Sequence, residues 1–237
     1  MEKIKPFAFL ISISAAISIL CLISCAPTRD PFGLALRQGH TPVVAAPESL
    51  TVDLDIHINQ KGAPPFSVRL YAQPYRRYRI DIFGFASQVV ASYLWTDGHW
   101  KLSLNQRGQR WEGQGDSLSL DVEGVSLHLP DIHGVLGFLW GEPLPGFRNR
   151  DDSVLAWSGD TLRWSFHGAR AEARFDPSNG TCIETQLETL QLRYGPVHRF
   201  GSRVIPEEVE VFVDGESRLT LKVKKVQDHP IWKKNPF

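Results

Sequence analysis

The strongest constraint in this chain is a side-chain period of two. Leu50, Val52, Leu54, Ile56 and Ile58 alternate with Thr51, Asp53, Asp55, His57 and Asn59. Successive strand residues point to opposite faces, so such a run makes a strand with one apolar and one wetted face. The pattern keeps returning. Phe66, Val68 and Leu70 follow the Gly62-Ala63-Pro64-Pro65 break, and Tyr78, Ile80 and Ile82 follow Pro74. Gln88 to Trp95 is apolar at both parities, which predicts a central strand. Asp97-Gly98 is a two-residue hairpin signal. Trp100, Leu102 and Leu104 return from it, and another strand is expected around Trp111. Past Pro145 come Leu162, Trp164 and Phe166, then Ala171, Ala173 and Phe175, then Ile183, Thr185 and Leu187, then Leu190 and Leu192. Val209, Val211 and Val213 lead through Asp214-Gly215 to Leu219, Leu221 and Val223, the clearest hairpin.

One segment breaks this rhythm. Ile132, Val135, Leu136, Leu139 and Trp140 recur at helical spacing, with Pro130 and Asp131 suited to a first turn and Gly141 to a C-terminal close. Gly134 and Gly137 each cost about 1 kcal/mol relative to Ala, so the short helix must be held by packing against the sheet. A sheet of about ten to eleven short antiparallel strands accumulates twist and curls. The expected fold is mainly β: an unclosed antiparallel barrel with a short lid helix on its concave face.

The start of the chain has a different logic. Lys3 and Lys5 precede an apolar run from Pro6 to Leu22, which ends in Leu22-Ile23-Ser24-Cys25. This resembles a bacterial lipoprotein signal whose cysteine receives the lipid. An uncleaved transmembrane helix is the competing reading; no basic cluster follows at once to act as a stop. The chain thus divides into a signal peptide (residues 1–24), a lipidated N-terminus with a Pro-, Ala- and Gly-rich tether (residues 25–49), and a half-barrel domain (residues 50–237). With Ala26 and no Asp after Cys25, the resemblance to Gram-negative lipoproteins favours the outer membrane, periplasmic face. Two or three acyl chains anchor stably where a single chain does not.

Composition narrows the function. Lys plus Arg and Asp plus Glu number 26 each, so no global field favours nucleic acid. Of three cysteines, Cys21 leaves with the signal and Cys25 is lipidated, so Cys182 has no disulfide partner and reads as a small strand residue. Gly-x-Ser-x-Gly, His-Glu-x-x-His and phosphate-loop motifs are absent, so no enzyme, cofactor or metal site is expected. Asp53-x-Asp55-x-His57 shares a strand face and reads as a solvated surface; Asp131-x-His133 reads as a helix start.

Three segments carry a family resemblance. Tyr78-Arg79-Ile80-Asp81-Ile82-Phe83-Gly84-Phe85-Ala86-Ser87, the stretch from Leu129-Pro130 to Gly141 and Pro143, and the hairpin from Ile205-Pro206 to Val223 resemble the outer-membrane lipoprotein receptors of the Lol pathway, the LolB-like half-barrels. In one respect the chain departs: Pro42 and Pro47 stand where the family has a helix before its first strand. The resemblance implies an acyl-binding, non-enzymatic carrier or acceptor of lipoproteins. It also implies a loop entering the membrane at Phe83 and Phe85, with a periplasmic carrier protein as partner. A monomer is expected. An acyl cavity would be lined by Ile80, Ile82, Tyr93, Trp95, Trp100, Leu102, Trp111, Leu136, Leu139, Trp140 and Trp164. The alternative from the residues alone is a packed aromatic core in a structural envelope lipoprotein that binds no lipid.

Overall fold

The computed structural model describes residues 48–237 except 61–63, 85–86, 106–107, 116–117, 123–124, 130–131, 143, 145–155, 167, 202 and 233–234. The expectations for residues 1–47, acylation of Cys25 among them, and for Phe85 lie outside the described residues. No helix among the described residues is long and apolar enough to cross a membrane.

The alternating runs form the strands β1 (Leu50–Ile58), β2 (Phe66–Gln73), β3 (Arg77–Phe83), β4 (Val89–Thr96), β5 (His99–Leu104) and β6 (Gln109–Gln114). A separate hairpin, β7 (Leu118–Val122) with β8 (Val125–Leu129), precedes the single turn of α1 (Ile132–Leu136). The second half holds β9 (Ala156–Ser158), β10 (Thr161–Phe166), β11 (Ala169–Phe175), β12 (Cys182–Leu187) and β13 (Leu190–Tyr194). A small hairpin of β14 (Val197–Phe200) and β15 (Arg203–Pro206) leads to β16 (Glu208–Val213) and β17 (Glu216–Asp228).

Thirteen strands make one sheet, in the order β6-β5-β4-β3-β2-β1-β17-β16-β13-β12-β11-β10-β9. Every neighbouring pair is antiparallel, and β6 and β9 end the sheet without pairing to each other. The result is the expected unclosed half-barrel, with more strands than expected. Three-residue β9 is too short to show a period. β4 stands third from an edge rather than centrally, and the middle place belongs to β17. β4 is buried at Ala91, Tyr93 and Trp95 and half-buried between them, so its apolar outer residues lie on a partly covered face.

Register collects the apolar side chains on one face. Across β1 to β5, Leu50, Ala72, Tyr78, Trp95 and Trp100 form one row, and Val52, Leu70, Ile80, Tyr93 and Leu102 the next. The same face continues through Leu221, Val209 and Tyr194 to Trp164 and Leu162. A bulge between Val211 and Phe212 lets Val211, Phe212 and Val213 all be buried, which strict alternation forbids.

Candidate functional site

The site is the trough of the bent sheet, and the segment Ile132–Trp140 shows how strongly the sheet bends. Its His133 meets Trp95 on β4, with ring centroids 4.2 Å apart, and its Phe138 meets Tyr194 on β13 at 6.4 Å. From β4 to β13 the sheet passes through β3, β2, β1, β17 and β16, which at ~4.8 Å per spacing is roughly 29 Å along its surface. His133 and Phe138 are about 8 Å apart along a helix axis. The sheet therefore wraps around the segment, which lies in the concave face.

This lid differs from an amphipathic surface helix. Ile132, Val135, Leu136, Phe138, Leu139 and Trp140 are all buried, with Leu139 at 0% exposure. A helix apolar on every side belongs inside. After α1 the chain tightens into a 3-10 turn at Gly137–Trp140 and closes at Gly141, whose φ of 85° is one that glycine adopts freely. The Glu142 N–H then donates back to the Gly137 carbonyl at 3.0 Å. The Glu142 carboxylate accepts from the Tyr75 hydroxyl, and the Tyr75 ring stands edge-on to Trp140 at 6.0 Å. The turn between β2 and β3 thus grips the far end of the lid.

Beneath the near end lies a row of stacked aromatics. Tyr78 and Trp95 stack at 5.4 Å and 6°, and Tyr93 and Trp100 at 6.2 Å and 24°. The lid covers the Tyr78–Trp95 row but does not seal the whole face. Ile56, Phe66, Ile80 and Ile82 pack on the core yet stay half-buried, although Leu70 and Tyr93 on either side of Ile80 are buried. These half-open residues lie toward the sheet end that carries the Phe83-to-Ser87 loop.

The cavity residues expected from sequence are largely brought together. Ile80, Ile82, Tyr93, Trp95, Trp100 and Leu102 share the apolar face of β3 to β5, and Leu136, Leu139 and Trp140 lie over it in the core. Trp164 joins the same core from β10. Trp111 pairs with Leu102 on the correct face, but edge strand β6 leaves it 39% exposed. Phe83 sits on the other face: it shares the parity of Arg79 and Asp81, and the Arg69 guanidinium lies 5.8 Å from its ring centre.

The convex face is polar and paired. Arg69 binds Asp53 at 2.6 Å, which raises the guanidinium pKa further. Asp55 accepts from Lys224 at 2.9 Å and from Ser67, and the Lys224 bond foremost lowers its pKa. Among the described residues no group of three His, Cys, Asp or Glu could hold a metal ion. Sequence reading missed that Trp232, Pro236 and Phe237, in a tail with no period, lie against this face.

No protein-family model matches the chain, and no curated protein matches it in sequence. Solved structures do. A DUF1329 family protein from Desulfovibrio piger superposes with a TM-score of 0.55 at 12% identity, over 84% of this chain and 91% of that one. A candidate outer membrane lipoprotein-sorting protein domain from Vibrio parahaemolyticus gives 0.52 at 7% identity, over 78% and 87%. A LolA superfamily protein from Nitrosomonas europaea gives 0.49 at 11% identity, over 77% and 86%. The chain shares the fold of the first two.

Proposed function

We propose that this chain is a lipid-anchored envelope lipoprotein that receives hydrocarbon chains in the trough of its half-barrel and performs no covalent chemistry. One observation carries the reading: the apolar face is only partly sealed, with Ile56, Phe66, Ile80 and Ile82 half-buried beside fully buried neighbours. Each methylene moved from water onto such a face gains about 0.8 kcal/mol, so roughly ten of an acyl chain's methylenes together reach the ~8 kcal/mol of micromolar affinity. The fold shared with a candidate lipoprotein-sorting domain supports acyl chains of lipoproteins as the cargo. A periplasmic carrier then delivers the cargo, and Cys25 holds the acceptor, a monomer, at the outer membrane. The loop that carries Phe83 and Phe85 is the segment that enters the membrane in this reading.

The lid favours a second reading. Its all-round burial and the wedging of His133 onto Trp95 describe a filled core at that end, as in an assembly partner that binds no lipid. Titration with a fluorescent fatty acid separates the two. Saturable binding that is lost in Ile82→Glu, while near-ultraviolet circular dichroism stays native, supports the acceptor. No binding by the natively folded protein leaves the scaffold.

A further inference from the structure

The two ends of the sheet differ. β9 is three residues long, and a very short strand is one way a sheet blunts its edge. β6 has six residues and pairs with β5 without a register shift, so it offers a regular edge. Trp100 helps to keep it so. A Cβ at Gly113 would fall 2.3 Å from the Trp100 ring, so the indole already fills the space that this glycine leaves on the strand. All of β6 except Gly113 is exposed, Trp111 on the concave face included.

Hydrogen bonding and charge say what fits this edge. The Gly115 N–H donates to the Gly98 carbonyl at 2.8 Å. Bonding alternates along an antiparallel ladder, so Gly113, Trp111 and Gln109 turn their N–H and C=O groups toward β5, and Arg110 and Glu112 turn theirs outward. A strand added at this edge must bond to those two. The strand Gln109–Gln114 of a second copy does so when it runs antiparallel about a two-fold axis at Trp111. Arg110 of each copy then exchanges backbone bonds with Glu112 of the other, and the facing side chains are opposite in charge. Sliding by two residues either way sets Arg110 on Arg110 or Glu112 on Glu112, so charge selects one register. Opposite Arg110 on β5 stands Ser103, not an acid. Glu112 lies 3.1 Å from Lys101 on β5 but stays 65% exposed, so its carboxylate can accept from an arginine on its other side as well. The same register makes the two copies of Trp111 a non-hydrogen-bonded pair, whose Cα atoms stand about 4.5 Å apart.

We infer that β6 is the interface for a second copy of this chain, joined edge to edge in the register that sets Arg110 against Glu112 and Trp111 against Trp111. The pairing goes beyond the single acceptor proposed above and depends on neither its cargo nor its anchor. Each trough stays within one chain. The seam covers Trp111, the aromatic of the expected cavity that β6 leaves open in one copy. One strand pair is smaller than a standard interface, so the chain is a monomer when dilute and pairs where copies crowd.

The test traps the pair in the concentrated full-length protein. Trp111→Cys is oxidised with copper phenanthroline and the disulfides are mapped by mass spectrometry; Cys182, 2% exposed, stays out of reach. Cysteines at a non-hydrogen-bonded pair fall within the Cα separation of about 4.4–6.8 Å that a disulfide spans. The control Gln109→Cys is exposed on the same face but stands opposite Gly113 in this register, too far from its own mate. The expected result is a 111–111 disulfide that forms far faster than a 109–109 one. Adding Arg110→Glu slows it about tenfold, and adding Glu112→Arg to that restores it. In the unmodified chain, amide exchange at Arg110 and Glu112 slows as concentration rises, while exchange at Trp157 on β9 does not. Equal trapping at 111 and 109, no loss with Arg110→Glu, or exchange at Arg110 and Glu112 that ignores concentration overturns the proposal. Slowing at Trp157 as well indicates head-to-tail pairing of β6 with β9 and overturns it too.

Discussion

His133 stands edge-on to Trp95, with ring centroids 4.2 Å apart and planes at 83°, and meets Tyr78 the same way at 5.2 Å and 87°. One imidazole thus keys the start of the lid to two stacked rings of the sheet. Edge-to-face pairs add about 0.5–1.5 kcal/mol beyond burial. His133→Ala is expected to lower stability by about 1–2 kcal/mol. Amide exchange in Ile132–Trp140 should quicken more than in β1 or β17. Equal acceleration everywhere would show that the contact does not hold the lid in particular.

Gly137 offers a sharper test of the lid. A methyl group there would come within 2.5 Å of the Glu142 carbonyl oxygen, a backbone atom that cannot swing aside. Gly137→Ala must therefore open the 3-10 turn that Glu142 closes. The expected cost is about 1–3 kcal/mol, as for other overpacked sites, although alanine is the better helix former. Urea unfolding measures it; a neutral or stabilising result would mean that the turn yields freely.

Transfer of cargo should depend on the loop at the half-open end. Phe85→Glu is expected to leave the urea midpoint unchanged and to slow acyl transfer from a carrier to the anchored protein. Normal transfer by that variant would remove the loop from the mechanism.

Much of the fold is legible because burial selects alternate residues, and β1, β16 and β17 carry that selection openly around turns such as Asp214-Gly215. Trp111 shows where parity stops. Its face follows from the alternation, but its 39% exposure follows from β6 having a neighbour on one side only, which no local pattern records. For Phe83 the opposite holds: its parity with Arg79 and Asp81 already puts it on the polar face, and grouping it with the loop obscured that. The lid's spacing is visible in Ile132, Val135, Leu136, Leu139 and Trp140. The burial of Phe138 is not, because it depends on the sheet closing around the segment from β13. The C-terminal tail, held at Trp232, Pro236 and Phe237, is the least legible part. Its anchors join residues as distant as Trp232 and Thr51, and a segment pinned by such contacts has no period to read.

A buried tyrosine makes stability sensitive to alkali. Tyr194 shares a hydrogen bond of 3.1 Å with Thr185, and Thr185 is 1% exposed. Burial first, and the neighbouring Cys182 thiol second, raise the Tyr194 pKa well above 10.0; the bond to Thr185 opposes them. The folded state then keeps a proton that the unfolded chain releases. This contribution is complete below pH 10.0 and is lost as pH rises from there through the folded pKa. The slope is about 1.4 kcal/mol per pH unit while only the unfolded state is ionised. Tyr194→Phe removes the titrating group but leaves the Thr185 hydroxyl without its partner, at a cost of about 1–3 kcal/mol at neutral pH. The variant should therefore be less stable at pH 7 and converge on the parent as the pH climbs above 10.0. Urea midpoints across that range measure it, and curves that stay parallel would show that Tyr194 does not ionise differently in the two states.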